Sequence, residues 1–187
     1  MRKIKLQMQI SVNGYVAGKN GEMDWMTWAW DDSIKNYVSG ITRDVDTIVL
    51  SRKVAEGFIP HWAALTEGNS EEAEFAKKMT FTKKVVFSKT LTTSPWENTQ
   101  IAGGDLGAEI TKLKSEPGKD IIVYGGAELI SGLLKENLLD ELHLFINPVA
   151  VGMGKTIFNQ LETPMKLKLV KSEKFGCGIV LLCYQTK

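Results

Sequence analysis

Gly125 and Gly126 stand between an apolar run and a helical pattern, and that placement has chemical consequences. Ile121 to Tyr124 are β-branched or aromatic and predict a short strand buried on both faces, as in a parallel sheet. Leu129, Ile130, Leu133 and Leu134 then recur at helical spacing. A strand that turns directly into a helix through two glycines leaves unpaired backbone N–H groups at its end. The helix dipole adds partial positive charge there, so the turn suits a phosphate. Glycine also lets a pyrophosphate approach the backbone where a Cβ would collide. An ordinary tight β–α turn has the same sequence, so the pair needs support from elsewhere in the chain.

Two other apolar runs end in a similar way. Thr47–Leu50 meets Ser51-Arg52-Lys53, and Val85–Phe87 meets Ser88-Lys89. In an open α/β sheet the ligand sits beyond the carboxyl ends of parallel strands. Cation-bearing ends beside a glycine-bearing end suit a ligand with several phosphates, in which an extra monophosphate needs Arg or Lys. A phosphorylated dinucleotide meets that description. Taken singly, Arg52, Lys53 and Lys89 read as solvated charges; their shared place at strand ends is the signal. Gly152-Met153-Gly154-Lys155-Thr156 looks like the tail of a P-loop, but Val149 stands where that motif needs glycine. G-x-G-x-x-G and G-x-S-x-G are absent, which removes the Rossmann fingerprint and the nucleophile elbow.

The other end of a site would lie near Asp24, Trp25, Trp28 and Trp30, with Trp62 as a further aromatic. Aromatic rings rimming a pocket would stack on a flat heterocycle, and they would equally cover a core edge or a dimer contact. Asp31 and Asp32 stand just ahead of a helical pattern. Both are good N-caps for a helix whose apolar positions are Ile34, Tyr37, Val38 and Ile41. His61 and His143 read as structural, with no acid partner evident beside either.

The elements that must position these residues follow in order. Ile4, Leu6, Met8, Ile10 and Val12 alternate with polar residues as in a strand, and a glycine-punctuated loop follows. A helix is expected after Ser51 and another from Asn69-Ser70, with Glu71, Glu72 and Glu74 early and Lys77 and Lys78 late. Asp105 caps a helix that Pro117-Gly118 stops. Leu142 to Val151 reads as a strand interrupted by Pro148. Lys166–Phe175 and Ile179–Gln185 read as a closing hairpin around Gly176-Cys177-Gly178. The pattern predicts one three-layer α/β/α domain over residues 1–187, with a mostly parallel central sheet and a C-terminal antiparallel hairpin.

Composition bounds the function. With 187 residues, 43% hydrophobic, 24% charged and a formal charge of +1, the chain has no bias toward nucleic acid or anionic lipid. No apolar stretch follows Met1-Arg2-Lys3, so neither a signal peptide nor a membrane span is expected and the cytoplasm is the expected compartment. Cys177 and Cys183 read as free thiols, and two histidines without C-x-x-C leave little to build a metal site. The apolar hairpin residues Ile179, Val180, Leu181, Leu182 and Tyr184, with surplus tryptophans, point to a homodimer.

Ser11-Val12-Asn13-Gly14-Tyr15-Val16-Ala17 resembles the S-L-D-G-Y-I-A signature of dihydrofolate reductase-like proteins. More narrowly, the chain is similar to stand-alone relatives of the reductase domain of the bacterial riboflavin-biosynthesis deaminase–reductase. Gly21-Glu22-Met23-Asp24-Trp25 resembles their G-x-x-D-W segment, and Thr47–Lys53 their strand ending in L-G-R. Val85–Leu91 resembles V-V-F-S-R-T-L, and Ile122–Ala127 the hydrophobic-G-G-A/G segment. Leu139–Leu142 and Pro148–Gly154 fit the late blocks, so the resemblance spans nearly the whole chain in order.

The resemblance implies a dihydrofolate reductase-like fold, NADPH as cofactor and a small-molecule substrate. Val16, Ala17 and Gly18 would lie by the nicotinamide. Ser51, Arg52, Lys53, Ser88 and Lys89 would hold the adenosine side and 2′-phosphate. Gly125, Gly126 and Ala127, with the helix start at Glu128 and Leu129, would bind the pyrophosphate. Asp24, Asp31 and Asp32 are the carboxylate candidates toward the substrate, and Asp32 or Asp31 stands nearest the acid that contacts the pteridine in dihydrofolate reductases. The activities this allows are a reductase of a heterocyclic or carbonyl substrate, a specific dihydrofolate or pyrimidine reductase, or a nucleotide-binding protein without turnover. Departures are Ser51 for the usual glycine, Asn13 for the usual aspartate, no zinc deaminase domain, and no counterpart of the arginine that binds the folate glutamate.

Overall fold

A computed structural model describes residues 1–186. In chain order the strands are β1 (Ile4–Ser11), β2 (Ala17–Gly18), β3 (Val45–Ser51), β4 (Lys83–Phe87), β5 (Thr99–Ala102), β6 (Asp120–Gly125), β7 (Glu141–Asn147), β8 (Gly154–Lys155), β9 (Lys168–Lys174) and β10 (Val180–Gln185). The helices are α1 (Asp32–Thr42), α2 (Arg52–Ala64), α3 (Glu71–Phe81), α4 (Leu106–Ser115) and α5 (Ala127–Lys135). The main sheet has eight strands in the order β5-β4-β3-β6-β1-β7-β10-β9. From β5 to β7 all neighbours are parallel; β10 and β9 close the sheet antiparallel.

Sequence patterning dictates this layering. The even residues of β1, Ile4 to Ile10, join Val49, Val85, Val123 and the apolar faces of α4 and α5 in one cluster. On the other face, α2 and α3 cover β3, β4 and β6 through Ala55, Met79, Ile48, Leu50, Val86 and Ile122. There α1 separately covers β7 and β10 through Ile34, Val38, Phe145 and Leu181. β6 is buried against both layers, which is why its sequence is a continuous apolar run. Asp31, Ser51, Ser70 and Asp105 cap α1, α2, α3 and α4, each accepting the backbone N–H three residues on. Lys84 is buried in β4 and donates to the carbonyls of Thr80, in the last turn of α3, and of Thr82, its C-cap; burial lowers its pKa to about 8.

Three details differ from the expectations above. β7 ends at Asn147, before Pro148, which has no N–H for a ladder. β2 and β8 form a two-stranded ribbon, Ala17 opposite Lys155 and Gly18 opposite Gly154, so the P-loop look-alike is a strand partner of the first loop. The closing hairpin turns Ile179 and Leu181 fully inward against α1, leaving Val180, Leu169 and Val170 exposed. Lys168, Lys171 and Lys174 punctuate the edge strand β9, a pattern that discourages edge-to-edge pairing.

Candidate functional site

The three strand ends singled out by sequence are neighbours in space, because β4, β3 and β6 are adjacent and parallel. The chain leaves β3 toward β4 on one side, and leaves β6 toward β7 on the other. The gap between the carboxyl ends of β3 and β6 is therefore the switch point of the sheet, where open α/β sheets bind ligands.

Ser51 and the glycine pair meet there. Ser51 Oγ accepts the N–H of Gly126 at 3.0 Å and that of Val54 at 3.5 Å, so it caps α2 and ties β6 to β3. Gly125 has φ +129°, a conformation that requires glycine, and the Gly125–Gly126 peptide is cis. Gly126 is the N-cap of α5 and has no side chain to satisfy the first turn, which leaves the N–H groups of Ala127 and Glu128 at the helix start. A Cβ on Gly126 would lie 3.2 Å from Ser51 Oγ and 3.6 Å from Val54 Cγ2, so a side chain here would press on the start of α2. These features fit a phosphate. The Leu129 side chain is buried in the core, so only its backbone belongs to the turn. Glu128 is exposed, with its carboxylate accepting from Gln160 Nε2 at 3.1 Å.

The cationic residues are placed differently. Arg52 is engaged by Glu56 one turn along α2, Nη1 to Oε1 2.5 Å, rather than aimed across the switch point. Lys53 and Lys89 are exposed. Ser88 is buried, and its Oγ accepts the N–H groups of Thr90 and Leu91, holding the turn after β4. Sequence reasoning missed Gly103-Gly104 after β5, where a Cβ on Gly103 would reach 3.3 Å from the Ser88 carbonyl; a second Gly-Gly before the Asp105 cap was the available signal.

The loop after β1 is latched rather than free. Ala17 and Gly18 are paired with β8, Val16 is buried in the core, and Asn13 clamps Val151 by accepting its N–H (3.0 Å) and donating to its carbonyl (2.6 Å). Asparagine can do both, whereas the aspartate of the resembling family can only accept.

The substrate-side candidates separate. Asp31 Oδ1 accepts from Ile34 N–H and Ser33 Oγ, and these bonds lower its pKa, so it serves as the cap of α1. Asp32 and Asp24 are exposed. Trp25 donates to the Glu22 carbonyl, and Trp28 stands exposed with its ring 5.8 Å from Trp30. Trp30 lies flat against Phe145, 6.3 Å between centroids and 11° between planes. Trp62 does not share this region: it packs in α2 against Phe58 and Phe75.

His143 does have an acid partner, contrary to the sequence reading: Glu141 lies two residues earlier on the same face of β7, with Nε2 3.4 Å from Oε2. Tyr37 Oη lies 2.7 Å from His143 Nδ1, and Cys183 stands opposite His143 on β10. Glu141 is held at a pKa of about 2 by the His143 contact first and by Lys3 next, against the effect of burial. For His143, burial alone would lower the pKa, but Cys183 and Glu141 raise it above the usual value. The group sits beneath α1, toward the amino end of the sheet, and is structural. Among the described residues no three His, Cys, Asp or Glu side chains are grouped to hold a metal ion.

The parallel sheet, the glycine turn at its switch point and the antiparallel closing hairpin define a dihydrofolate reductase-like α/β protein. The chain belongs to the RibD C-terminal domain family, which matches residues 2–181. It is 35% identical over 187 residues to YyaP of Bacillus subtilis (strain 168), covering 98% of this chain and 94% of that protein. Its fold is shared with a putative riboflavin biosynthesis protein from Shewanella sp. PV-4 (TM-score 0.72, 22% identity, 99% and 98% of the two chains). It is shared also with a Thermotoga maritima diaminohydroxyphosphoribosylaminopyrimidine deaminase/5-amino-6-(5-phosphoribosylamino)uracil reductase (TM-score 0.69, 17% identity), of which this chain spans 56%.

Proposed function

We propose that the protein is an NADPH-dependent reductase acting on a small pyrimidine- or pteridine-like heterocycle or a carbonyl compound. The observation that carries this reading is the start of α5 at the switch point, where Gly126 brings no side chain to cap the first turn. Membership of the RibD C-terminal domain family supports it, as does a shared fold with a protein named a uracil reductase. The bound cofactor would supply a hydride. The chain would bind its pyrophosphate at the Gly125-Gly126-Ala127 turn and its 2′-phosphate with Arg52, Lys53 or Lys89. The latched loop Val16–Gly18 would cover the nicotinamide and exclude water. With Asp31 occupied as a cap, Asp32 is the remaining carboxylate at the start of α1 to hold a proton there. The protein would work in the cytoplasm as a homodimer joined through the exposed apolar residues of the closing hairpin.

Fluorescence titration with NADPH, followed by NADPH oxidation over a panel of pyrimidines, pteridines and carbonyl compounds, tests the proposal. Micromolar binding with oxidation of one class is expected, and no nucleotide binding would overturn it. The use of Asp31 as a cap also favours a second reading, a nucleotide-binding protein without turnover. Tight binding with no oxidation across the panel would select that reading.

A further inference from the structure

Asparagine followed by glycine occurs at Asn13-Gly14 and at Asn20-Gly21, and both pairs lie in the loop between β1 and α1, on either side of β2. The dipeptide has its own chemistry. The backbone nitrogen of the glycine can attack the asparagine Cγ, and with no Cβ beside it nothing hinders the approach. A C–N bond forms, the Cγ–Nδ2 bond breaks, and Nδ2 leaves as ammonia with the glycine N–H proton. The five-membered imide then adds water at either carbonyl and opens to aspartate or isoaspartate. The sum is hydrolysis of an amide by solvent water, with nothing oxidised or reduced.

The fold holds the two pairs differently. Their glycine nitrogens are alike: Gly14 N–H donates to the Ser11 carbonyl at 3.0 Å, and Gly21 N–H to the Gly18 carbonyl at 3.1 Å. The side chains set them apart. Asn13 is pinned at both ends of its amide, with Nδ2 donating to the Val151 carbonyl and Oδ1 accepting from Val151 N–H and Ser11 Oγ. The segment carrying Val151 is fixed in turn, because the Val149 carbonyl accepts Val12 N–H at 2.9 Å. Turning the Asn13 Cγ toward Gly14 therefore breaks three bonds, two of them to backbone. Asn20 is exposed, and its Nδ2 is held by the exposed Glu22 carboxylate, Oε1 at 2.7 Å. A bond in water to a flexible side chain is released at little net cost.

Asn20 also holds something in place. The Glu22 carboxylate accepts Asn20 N–H at 2.9 Å and lies over Gly18, where a Cβ would collide with Oε2. The Glu22 carbonyl accepts Gly18 N–H at 2.8 Å and Trp25 Nε1 at 3.2 Å. Gly18 ends β2, opposite Gly154. Aspartate at this position would set a second carboxylate against Glu22, and isoaspartate would also lengthen the backbone by a methylene.

We propose that Asn20 is a site of spontaneous modification, converted to aspartate or isoaspartate in the folded protein, and that its loss unties the β2 end of the first loop while the clamp on Val151 protects Asn13. The chemistry does not depend on the reductase reading. Where that reading holds, the loosened segment is the cover of the nicotinamide.

The two pairs serve as controls for each other. Folded protein is kept in warm, mildly alkaline buffer and sampled over days beside a second sample in urea. Peptide mapping by mass spectrometry follows ammonia loss, which marks the imide, and the amide-to-acid mass gain of its products. In the folded protein Asn20 is expected to convert several-fold faster than Asn13, and in urea the two should convert at similar rates. Glu22→Ala should speed Asn20 and leave Asn13 unchanged. Asn20→Asp, the product itself, should speed amide hydrogen exchange at Ala17 and Gly18 more than Asn20→Ala, which loses the bond without adding a charge. Equal rates at the two pairs in the folded protein, an unreactive Asn20, or a difference that persists in urea would overturn the proposal. So would an Asn20→Asp variant that exchanges as slowly as the parent.

Discussion

Ser51 Oγ accepts the backbone N–H of Gly126 at 3.0 Å, so one hydroxyl joins the carboxyl ends of β3 and β6 at the switch point. The same oxygen caps α2. The resembling family carries glycine at this position, so the serine adds a tie in this chain. Ser51→Ala is expected to lower stability by about 1 kcal/mol through loss of the cap. It should also loosen the glycine turn and weaken NADPH. Urea unfolding with a parallel NADPH titration checks both, and an unchanged urea midpoint would sink the assignment.

The two glycines of the turn should fail in different ways. Gly125 at φ +129° should lose stability on substitution by alanine, by about 1–3 kcal/mol, because the backbone strain is present with or without ligand. Gly126 has φ −84°, which any residue adopts, so Gly126→Val should keep a native-like far-UV circular dichroism spectrum. Its side chain would crowd Ser51 and Val54 and push the turn away from the start of α2, and NADPH binding should be abolished. A folded Gly126→Val that binds as tightly as the parent would remove the phosphate site from this turn.

Cofactor choice should depend on the competition between Glu56 and a 2′-phosphate for Arg52. Arg52→Ala should weaken NADPH by about 1 kcal/mol, the upper end for an exposed charge pair because Arg52 is part-exposed, and barely touch NADH. Glu56→Gln should act in the opposite direction by releasing Arg52. Equal effects on NADPH and NADH in direct titrations would rule out Arg52 as the phosphate ligand.

Stability should be greatest in mildly acidic solution. Glu141 has a folded pKa of about 2, below its ordinary 4.5, so its contribution is present above about pH 4.5 and fades as pH falls toward 2. His143 has a folded pKa raised above 6.5, so its contribution is present below pH 6.5 and is lost as pH rises through the folded value. Urea midpoints from pH 3 to 9 should therefore peak between about 4.5 and 6.5. Glu141→Gln should flatten both limbs, since it removes the acid itself and one partner of His143.

Asn13→Asp should loosen the first loop. The carboxylate keeps the bond from Val151 N–H but faces the Val151 carbonyl where Nδ2 now donates. Faster amide hydrogen exchange at Val16–Gly18 and Gly154–Lys155 is expected, with β1 unchanged. Identical exchange in the two proteins would show that the ribbon alone holds the loop.

Local pattern and tertiary structure supplied different parts of this picture. Alternation in Ile4–Ile10, the continuous run Ile121–Tyr124, and the caps Asp31, Ser51, Ser70 and Asp105 all specify elements through near-neighbour chemistry, so they are legible in the sequence. The glycine turn is legible for the same reason, since the strand end, the two glycines and the helical pattern follow one another within a few residues. Pairing between distant segments is not legible, because no short-range rule connects Ala17 to Lys155 or Thr27 to Asn147. Only folding brought Gly126 to Ser51, turned Arg52 onto Glu56, and placed Cys183 opposite His143, because each contact joins side chains or strands whose meeting is set by the packing of the whole sheet.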